Sequence, residues 1–492
     1  IVWGCDFGGL NSRNTRVCLI CCGDLPTRTI NVPPYGHPFL EKVLYLGKPQ
    51  DRTFRSWEGI FWNLEVNLVM KIAVIGGGAS GMVSAYLLDK QGHHVSVFER
   101  QPMLGGHIRT LNKNVQPDRS DCTEILEGGV LEFPTAFTDF ITLMKELDVK
   151  LEPVSVGSAM FFNNGSSFLS GVVTNNNFSG IHRLIEHLRF DTLYARSASL
   201  WLRIQLANLQ NLADLPLSAY LKHAGTRDTW LKLLVMYSYS IPFELIDDFP
   251  AELAIPTLRA YISTNWVRVK GGVYTYIEKI LERFKGEIVL GVEIDRILRS
   301  PDGVKIMMST GEIHEFDRVV FATPPDQVMA LLADPTTTET KRFGDWKANH
   351  ITSIVHQDDT MYDRFGIHKP SEFDFFQTDT RWGYNGYLNQ LCDISSPPHY
   401  FLSFQLEELI APEQIIHTQA HHTPMYTTES FRYRDEVVAT NGENYTYHAG
   451  AYLGDGLHGG AITSAIRVAK LIGVSQESIS SVESKRERIS FA

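Results

Sequence analysis

The sequence predicts an α/β fold that combines a discontinuous Rossmann-like domain, a helical cap and a second domain built on a mixed sheet. Three observations support this fold class. An apolar strand over 71–75 runs into a glycine turn and a helix, and the next strand, over 94–99, ends in an acid. Another strand, glycine turn and helix follow one another near the C-terminus, over 447–472.

The composition is that of an ordinary globular protein. Of the 492 residues, 43% are hydrophobic and 21% are charged, which argues against disorder over most of the chain and against a coiled-coil or collagen-like rod. The formal net charge of −11 argues against a nucleic-acid partner, because such binders carry an excess of basic charge. The sequence has no uninterrupted apolar run of about eighteen residues, so no membrane-spanning helix is expected.

The cysteines are concentrated at the start of the chain. Only Cys122 and Cys392 lie in the main body, and two distant cysteines make no disulfide framework. This usage is typical of a reducing compartment and predicts a cytoplasmic protein. Cys18 and Cys21 form a CxxC pair, but without a second pair or a βαβ context it predicts no metal site.

Both ends of the chain are expected to lie outside the functional body. Residues 1–69 show no clear helical or strand period, whereas Met70 is followed at once by the first apolar strand. We therefore expect the functional body to begin near Met70, with 1–69 as an N-terminal extension. Residues 476–492 are polar and charged and are expected to form a mobile tail.

A nucleotide-binding signature follows the first strand. Gly76, Gly78 and Gly81 form a GxGxxG motif between this strand and a helix. The first glycine permits a tight turn, the second lets the backbone approach a pyrophosphate, and the third brings the helix close to the strand. The helix N-terminus offers free N–H groups to phosphates, and Glu99 can accept hydrogen bonds from the ribose hydroxyls. The predicted phosphate loop comprises Gly76, Gly78, Ala79, Ser80 and Gly81.

The segment after Glu99 indicates which dinucleotide is bound. In NAD enzymes the second strand leads directly into another crossover, whereas here the pair Gly105-Gly106 and then Arg109 follow. This arrangement resembles the GG motif of FAD-binding oxidoreductases. The glycine pair would bring backbone N–H groups to the phosphates, and Arg109 would add charge-assisted hydrogen bonds. Two neighbours are assigned to the same cofactor site, namely Arg100 and His107.

Three further segments fit an FAD site. Val292 would lie where such folds contact adenine through the backbone. Ala322 and Thr323 end a buried strand that resembles the VVxAxPP element of amine oxidases. Gly129 and Val130 belong to an element that resembles the one passing close to the isoalloxazine, where Gly129 should leave room for the ring or the substrate.

The glycine turn near the C-terminus is expected to contact the flavin. The helix that follows it would direct N–H groups and its dipole at the flavin N1–C2 carbonyl, where negative charge develops on reduction. Asp455 is the candidate for a ribityl or pyrophosphate contact. The residues assigned to the cofactor here are Gly450, Asp455, Gly456, His458 and Ala461.

Together these motifs resemble the flavin-containing amine oxidase and phytoene desaturase superfamily over nearly all of residues 70–473. Within it the chain is most similar to predicted NAD/FAD-binding oxidoreductases associated with cyclopropane-fatty-acid synthases, on the motifs at 249–251, 265–272, 387–391 and 450–458. The resemblance implies FAD-dependent redox chemistry on a fatty-acyl or other lipid chain. No cysteine follows Cys392, so the cysteinyl flavin link of some monoamine oxidases is unavailable and FAD is expected to bind non-covalently.

Two departures from the family pattern bear on the chemistry. Gly459 and Gly460 stand where the subgroup more usually has an acidic pair. The lysine that contacts flavin N5 through water in amine oxidases has no clear counterpart, because neither Lys341 nor Lys347 sits in a convincing strand. Amine oxidation is disfavoured accordingly.

The same features divide the chain into three parts beyond the N-terminal extension. The segment 136–264 is rich in helical patterns and is predicted to be a cap, with helices over 137–147, 179–190 and 195–213. Segment 336–439 alternates strands and loops and is predicted to be the substrate domain. The predicted FAD-binding domain comprises 70–135, 265–335 and 440–475.

Aromatic residues of the substrate domain predict where the substrate binds. The alternation of 373 with 375 and of 382 with 384 is typical of strands facing an apolar space, although plain sheet core gives the same pattern. The pairs His421-His422 and Asp358-Asp359 lack metal-ligand context and are expected at the surface. The predicted pocket residues are Trp266, Phe376, Trp382, Tyr384 and Tyr387.

These observations favour an FAD-dependent oxidoreductase that moves a hydride from a carbon of a small-molecule or lipid substrate to flavin N5. Three alternatives stay open: an FAD-dependent double-bond isomerase of unsaturated fatty acids, an amine oxidase, and a non-catalytic flavin-binding partner of a lipid methyltransferase. Peripheral membrane contact is expected if the substrate is a phospholipid, although no strongly basic amphipathic helix is evident.

Overall fold

The computed structural model describes residues 69–473, except 156, 223–228 and 396, together with the short strands Arg16–Cys18 and Thr29–Asn31. These two strands pair antiparallel and belong to a unit of the chain that is separate from residues 67–492. Apart from them, the predictions for the N-terminal extension and the mobile tail lie outside the described residues.

A five-stranded parallel sheet forms the centre of the larger unit. It draws strands from all three segments that the sequence assigns to the FAD-binding domain, so these segments meet in one layer. Buried residues alternate between its faces, and Ile72 and Val74 lie on one side while Ala73 and Ile75 lie on the other. In spatial order the strands are Glu287–Leu290, His94–Glu99, Lys71–Ile75, Arg318–Phe321 and Thr446–His448.

Two helices cover one face of this sheet. Ala79–Lys90 follows the first strand and packs against the C-terminal helix His458–Ile472, with Met82, Ala465 and Val468 buried between them. Both helices begin at the carboxyl edge of the parallel strands, so both N-termini face the crevice where such folds bind ligands. Two shorter helices join the same core, Thr138–Glu146 and Thr275–Leu281.

Small antiparallel sheets complete the domain. On the other face, Ile75 and Phe98 share a core cluster with Ile297 and Ile306 of a three-stranded sheet. That sheet consists of Ile294–Ser300, Gly303–Met308 and Ile313–Phe316. A second one has the order Phe133–Pro134, Trp266–Val269, Leu151–Val154.

The cap is helical, but it starts later than the sequence predicts. The strands Ser158–Phe161 and Ser167–Leu169 fall inside the predicted cap segment and instead extend the substrate sheet. One continuous helix replaces two predicted ones, because nothing between residues 190 and 195 breaks its hydrogen bonding. No helix in the described ranges is long and apolar enough to cross a membrane. The cap helices are Gly171–Asn177, Gly180–Leu206, Leu217–Lys222, Thr229–Tyr239 and Ala251–Ser263.

The substrate domain is built on a seven-stranded mixed sheet, as predicted. Phe373–Gln377 runs parallel to Ser158–Phe161, and all other neighbours are antiparallel. Lys347 begins a strand that the sequence did not indicate, and its side chain is exposed. The strand order is Ile415–Met425, Lys347–His356, Phe401–Phe404, Trp382–Tyr387, Phe373–Gln377, Ser158–Phe161, Ser167–Leu169.

Short helices connect these strands. Among them Thr337–Phe343 contains Lys341 and starts with a capping box, in which Thr336 and Glu339 satisfy each other's backbone N–H groups. The remaining α-helices of this part of the chain are Val328–Leu331, Leu388–Leu391, Thr428–Phe431 and Arg434–Ala439.

Gly81 tests how tightly the first helix must pack on its strand. A Cβ at this position would lie 1.8 Å from the carbonyl oxygen of Gly76, so the backbone itself must move. We expect Gly81→Ala to lower the free energy of unfolding by about 3 kcal/mol, measured by urea denaturation of the full chain.

Gly171→Ala is the matched control, because a Cβ there would meet only His187 Cε1 at 3.6 Å. It should change stability by less than about 1 kcal/mol. Equal losses in the two variants would show that close helix–strand packing is not required at Gly81.

Candidate active site

The two predicted glycine turns lie back to back at the carboxyl edge of the parallel sheet. The Gly105 N–H donates to the Gly77 carbonyl at 2.9 Å, and a Cβ on Gly106 would lie 2.9 Å from the Gly78 Cα. Gly76 has a φ of +105°, and a Cβ there would lie 2.7 Å from the Ala322 carbonyl oxygen. The phosphate loop, the GG motif and the Ala322 turn therefore form a single cradle that side chains would fill.

Glu99 marks one end of this cradle. Its carboxylate accepts hydrogen bonds from the backbone N–H groups of Gly77 at 2.7 Å and Gln101 at 2.8 Å. The Val292 N–H donates to the Glu99 carbonyl at 3.2 Å, so the residues predicted for ribose and adenine lie side by side. Arg100, also assigned to the cofactor, is exposed at the same end.

Arg109 lies in the cradle near the Glu99 carboxylate but forms no ion pair with a described residue. Its side chain is buried, and its Nε and Nη1 have no hydrogen-bond partner among the residues that the structure describes. Burial lowers the pKa of Arg109, while the nearby Glu99 carboxylate raises it. The Thr323 hydroxyl is likewise buried without a partner. Buried charge is costly unless it is paired, so a guanidinium left free here fits an anion such as the pyrophosphate of FAD.

The second glycine-rich segment closes around the start of the C-terminal helix. Asp455 Oδ1 accepts from the backbone N–H groups of Leu457 at 2.8 Å and Gly460 at 2.7 Å. A Cβ on Gly459 or Gly460 would lie within 2.7 Å of an Asp455 carboxylate oxygen, which explains the glycines at these positions. One Asp455 oxygen thus caps the helix, and its contact with the cofactor stays a prediction.

His458 is enclosed by aromatic rings. Its Nε2 lies 3.1 Å from the Tyr276 hydroxyl, and its ring centroid lies 5.0 Å from that of Phe133 and 5.5 Å from that of Phe140. Burial lowers the pKa of His458 to about 3, so the ring is neutral at physiological pH. It therefore stabilises the helix start as an uncharged group. Gly450 is buried ahead of this turn, and Ala461 is buried in the first turn of the C-terminal helix.

The loop predicted to pass the isoalloxazine is held by two histidines. A Cβ on Gly129 would lie 2.1 Å from the His107 carbonyl oxygen, so only glycine fits between them. His107 Nε2 donates to the His422 carbonyl at 2.8 Å. The His107 side chain keeps an exposed surface. The surrounding protein nevertheless desolvates the ring, and this is the main cause that lowers the pKa of His107. Val130, like Gly129, is partly exposed.

His421 connects the substrate sheet to the same loop. Its Nε2 donates to the Gly128 carbonyl at 3.0 Å, and Ser353 Oγ donates to that carbonyl at 2.7 Å. Burial lowers the pKa of His421 to about 3. The expected surface position is therefore wrong for His421, and also for Asp358, because both side chains are buried.

The predicted aromatic pocket divides between the two faces of the substrate sheet. Trp382 and Tyr384 face the cap, where the Tyr237 ring stacks on Phe373 at 4.3 Å and lies 5.0 Å from Tyr384. The Trp266 ring lies 4.9 Å from that of Tyr261 on the cap.

Phe376 and Tyr387 lie on the opposite face, which corrects the prediction of one pocket. The ring centroids of Phe376 and Phe161 are 4.7 Å apart, and those of Tyr387 and Phe401 are 5.5 Å apart. The reason is strand alternation: Tyr384 pairs with Phe375, so residues of opposite parity point away from the cap.

Glu132 is an acid beside the cap-facing aromatic residues. The Tyr237 hydroxyl donates to its Oε1 at 2.6 Å, whereas Oε2 is buried without a hydrogen-bond partner. Desolvation raises the pKa of Glu132 to about 7. No motif predicts this residue, although an acid between Leu131 and Phe133, both apolar, is a signal for it.

Comparison with known proteins identifies the family. The family model of flavin containing amine oxidoreductases matches residues 79–357. The chain belongs to that family. The predictions of the family and of FAD as cofactor are confirmed. The contacts of individual residues with FAD stay predictions, supported by the cradle and by the unpaired guanidinium.

Individual relatives are distant. A 4,4'-diapophytoene desaturase from Staphylococcus aureus is 24% identical over 303 residues, which cover 54% of this chain and 57% of the relative. The chain thus spans a little over half the length of this curated relative. A fatty acid isomerase from P. acnes shares the fold with a TM-score of 0.61 and 14% identity, covering 82% of this chain and 99% of that one. A putrescine oxidase bound to putrescine has a TM-score of 0.56 and 16% identity, over 82% and 99% of the two chains.

FAD, when bound, would supply redox chemistry at this site, and a variant of Arg109 tests whether that side chain holds its phosphates. We expect Arg109→Met to weaken FAD binding by about tenfold to a hundredfold, because a charge-assisted hydrogen bond to phosphate is lost. The flavin-to-protein absorbance ratio and an FAD titration measure this change.

Arg296→Met removes an arginine that pairs with Asp295 at the surface and is the control, which should bind FAD normally. Without FAD, Arg109→Met should unfold at an equal or higher temperature than the parent chain, since it removes an unpaired buried charge. Unchanged FAD affinity would contradict the assignment of Arg109.

Proposed function

We propose that this chain oxidises a lipid or fatty-acyl substrate by transfer of a hydride from carbon to N5 of FAD. The observation that carries the proposal is the aromatic surface between cap and substrate sheet, made by Tyr237, Phe373, Trp382 and Tyr384. Its polar atoms are already engaged, because Tyr237 bonds to Glu132 and the Tyr384 hydroxyl lies 3.2 Å from Ser240 Oγ. The rest of these side chains is aromatic carbon, which suits contact with an apolar chain.

The cap and the flavin loop position the reacting carbon and exclude water. The Tyr239 hydroxyl on the cap donates to the Asp455 carbonyl at 2.8 Å, which ties the cap to the turn before the C-terminal helix. Gly129 lets this loop pack directly on the His107 carbonyl, and His421 fixes the carbonyl of its neighbour Gly128. These contacts would hold a bound chain in a dry site close to the ring.

Glu132 is suited to receive a proton. Loss of a hydride from one carbon and formation of a double bond require a proton to leave the adjacent carbon. Glu132 Oε2 is buried and unpartnered, and a pKa of about 7 allows it to exchange a proton near neutral pH. The carboxylate would take the proton at Oε2 while Tyr237 stays bonded to Oε1.

Two relatives of this chain support a lipid as the class of substrate. One is a diapophytoene desaturase and another a fatty acid isomerase. Isomerisation is the second candidate, since the same groups would serve if the hydride returned to a different carbon. Amine oxidation is a third, favoured by one observation: a carboxylate among aromatic rings, as Glu132 is, also suits an ammonium group.

Anaerobic titration of the FAD-loaded full chain separates these candidates. Unsaturated fatty acids or phospholipids should bleach the flavin absorbance and yield a product with an additional double bond. A moved double bond with oxidised flavin would establish isomerisation. Bleaching by putrescine, with hydrogen peroxide released in air, would establish amine oxidation. Bound flavin that no substrate reduces, with no lipid product, would contradict hydride transfer and favour a non-catalytic partner role.

Trp382 and Phe376 test the proposed substrate face. Trp382→Leu should raise KM for the lipid by about tenfold, because an aromatic contact to the chain is lost. Phe376→Leu makes a similar change on the opposite face of the sheet. It should lower the unfolding temperature while leaving KM within about twofold. Equal KM changes in both variants would contradict the assignment of the cap-facing side.

Glu132→Gln tests the proton acceptor. Since the carboxylate is the active form, flavin reduction by the lipid should accelerate as pH rises through about 7. The amide side chain of this variant keeps an acceptor for the Tyr237 hydroxyl, yet the variant should lower the reduction rate by about a hundredfold and remove this pH dependence. For an amine substrate the variant should instead raise KM, since the ammonium partner is lost. An unchanged pH profile would contradict the role of Glu132.

A further inference from the structure

The longest helix of the cap has an apolar outer face. Gly180–Leu206 has 27 residues and a length of about 40 Å. Fourteen large apolar side chains are exposed in the described part of the chain, and six lie on this helix. Those six are Ile181, Leu184, Ile185, Leu188, Leu202 and Leu206.

These side chains form two apolar patches on one face of the helix, over 181–188 and 202–206, and this face is called the stripe. Their spacing follows the helical repeat, so all six fall within about a third of the helix circumference. Thr192, Ala195 and Ser199 continue the same face between the two leucine-rich ends, and all three are exposed. The opposite side carries Leu200 and Ile204, which are buried in the cap. The helix therefore has two apolar sides, one packed in the protein core and one exposed.

Basic side chains border the stripe. His182, Arg189 and Arg203 lie along one edge by helical phase. Arg189 also pairs with Glu186 and keeps 56% of its side chain exposed. A basic border is notable because the whole chain carries a net charge of −11. The two arginines of this edge offer positive charge to an anionic surface.

A groove opens at the C-terminal end of the stripe. Leu202, Leu206, Leu212 and Tyr220 line a space of about 460 Å³, a size typical of ligand pockets. Arg203 stands over the Tyr220 ring at 5.0 Å. Leu212 and Tyr220 belong to the same core cluster as Tyr237 and Phe373, so packed side chains connect the wall of the groove to the aromatic residues inside the cap.

We propose that the outer face of this helix docks on an anionic lipid surface. The helix lies in the membrane plane, with the aliphatic stripe among the acyl chains and the arginine edge at the headgroups. An interface with another protein would be richer in aromatic side chains, whereas the exposed large side chains of this stripe are all Leu or Ile. The docked face is the outer side of the cap that covers the aromatic surface. The inference rests on the proposed function for the class of substrate.

Vesicle flotation of the FAD-loaded full chain tests the docking surface. We expect binding to phosphatidylcholine vesicles that contain phosphatidylglycerol, and at least about tenfold weaker binding to phosphatidylcholine alone. The double variant Leu184→Asp, Leu188→Asp should lose binding by about tenfold or more, since two exposed leucines no longer enter the bilayer. Arg189→Gln should reduce the preference for the anionic lipid.

Leu298→Asp with Ile313→Asp is the matched control, because it replaces two aliphatic side chains that are 40% and 53% exposed elsewhere. This control should bind vesicles within about twofold of the parent chain. Equal losses in both double variants, or no binding by the parent chain, would overturn the proposal.

A second copy of the chain is the competing occupant. Sedimentation that shows a dimer dissociated by Leu184→Asp, Leu188→Asp, together with no vesicle binding, would overturn lipid docking in its favour. Flotation requires no turnover, so it is independent of the flavin-reduction experiment. Vesicle binding without lipid oxidation would contradict the proposed function alone, and lipid oxidation in detergent without vesicle binding would contradict the docking surface alone.

Discussion

The backbone contact between Gly78 and Gly106 is the constraint on which the cofactor site depends. A Cβ on Gly106 would come within 2.9 Å of the Gly78 Cα, so two turns from different parts of the chain can touch only because neither has a side chain. Their contact fixes the segment after Gly106, which places Arg109 beside Glu99. The same segment carries His107, whose carbonyl leaves no room for a side chain on Gly129. The same run of close backbone contacts therefore shapes both the phosphate cradle and the loop that is predicted to pass the isoalloxazine.

The other two parts of the molecule attach to this arrangement through backbone carbonyls. His421 and Ser353 of the substrate sheet bond to the Gly128 carbonyl, and Tyr239 of the cap bonds to the Asp455 carbonyl. These donors are neutral, because burial lowers the pKa of His421 to about 3 and raises that of Tyr239. A buried neutral donor pairs with a carbonyl without the desolvation cost of an ion. The cap and the mixed sheet are therefore positioned by directional contacts that do not change with pH near neutrality.

Local patterns in the sequence predicted the fold and the glycine turn at Gly76. Contacts between residues that are remote in sequence could not be predicted from such patterns. Strand, glycine turn and helix lie within twenty residues of one another around Gly76, so spacing alone defines that element. Phe376 and Tyr387 were misplaced because the face of a strand residue depends on register with its neighbour. His421 looked like a surface residue because its partner, the Gly128 carbonyl, is remote in sequence. The long cap helix was divided in two because polar residues in its centre resemble a break, while its exposed stripe maintains one period.

Two buried polar groups, neither fully paired with described residues, have different roles in the proposed chemistry. Arg109 carries a permanent charge, so only an anion can satisfy it, and the glycine cradle around it fits the phosphates of FAD. Glu132 Oε2 is different, because its carboxyl can become neutral by binding a proton, and a pKa of about 7 makes both forms accessible. A group that must find a partner or change its charge is costly in a structural core but useful where a proton has to be taken from substrate. The first group thus suits a resident anionic cofactor, whereas the second would respond to a substrate bound beside Tyr237.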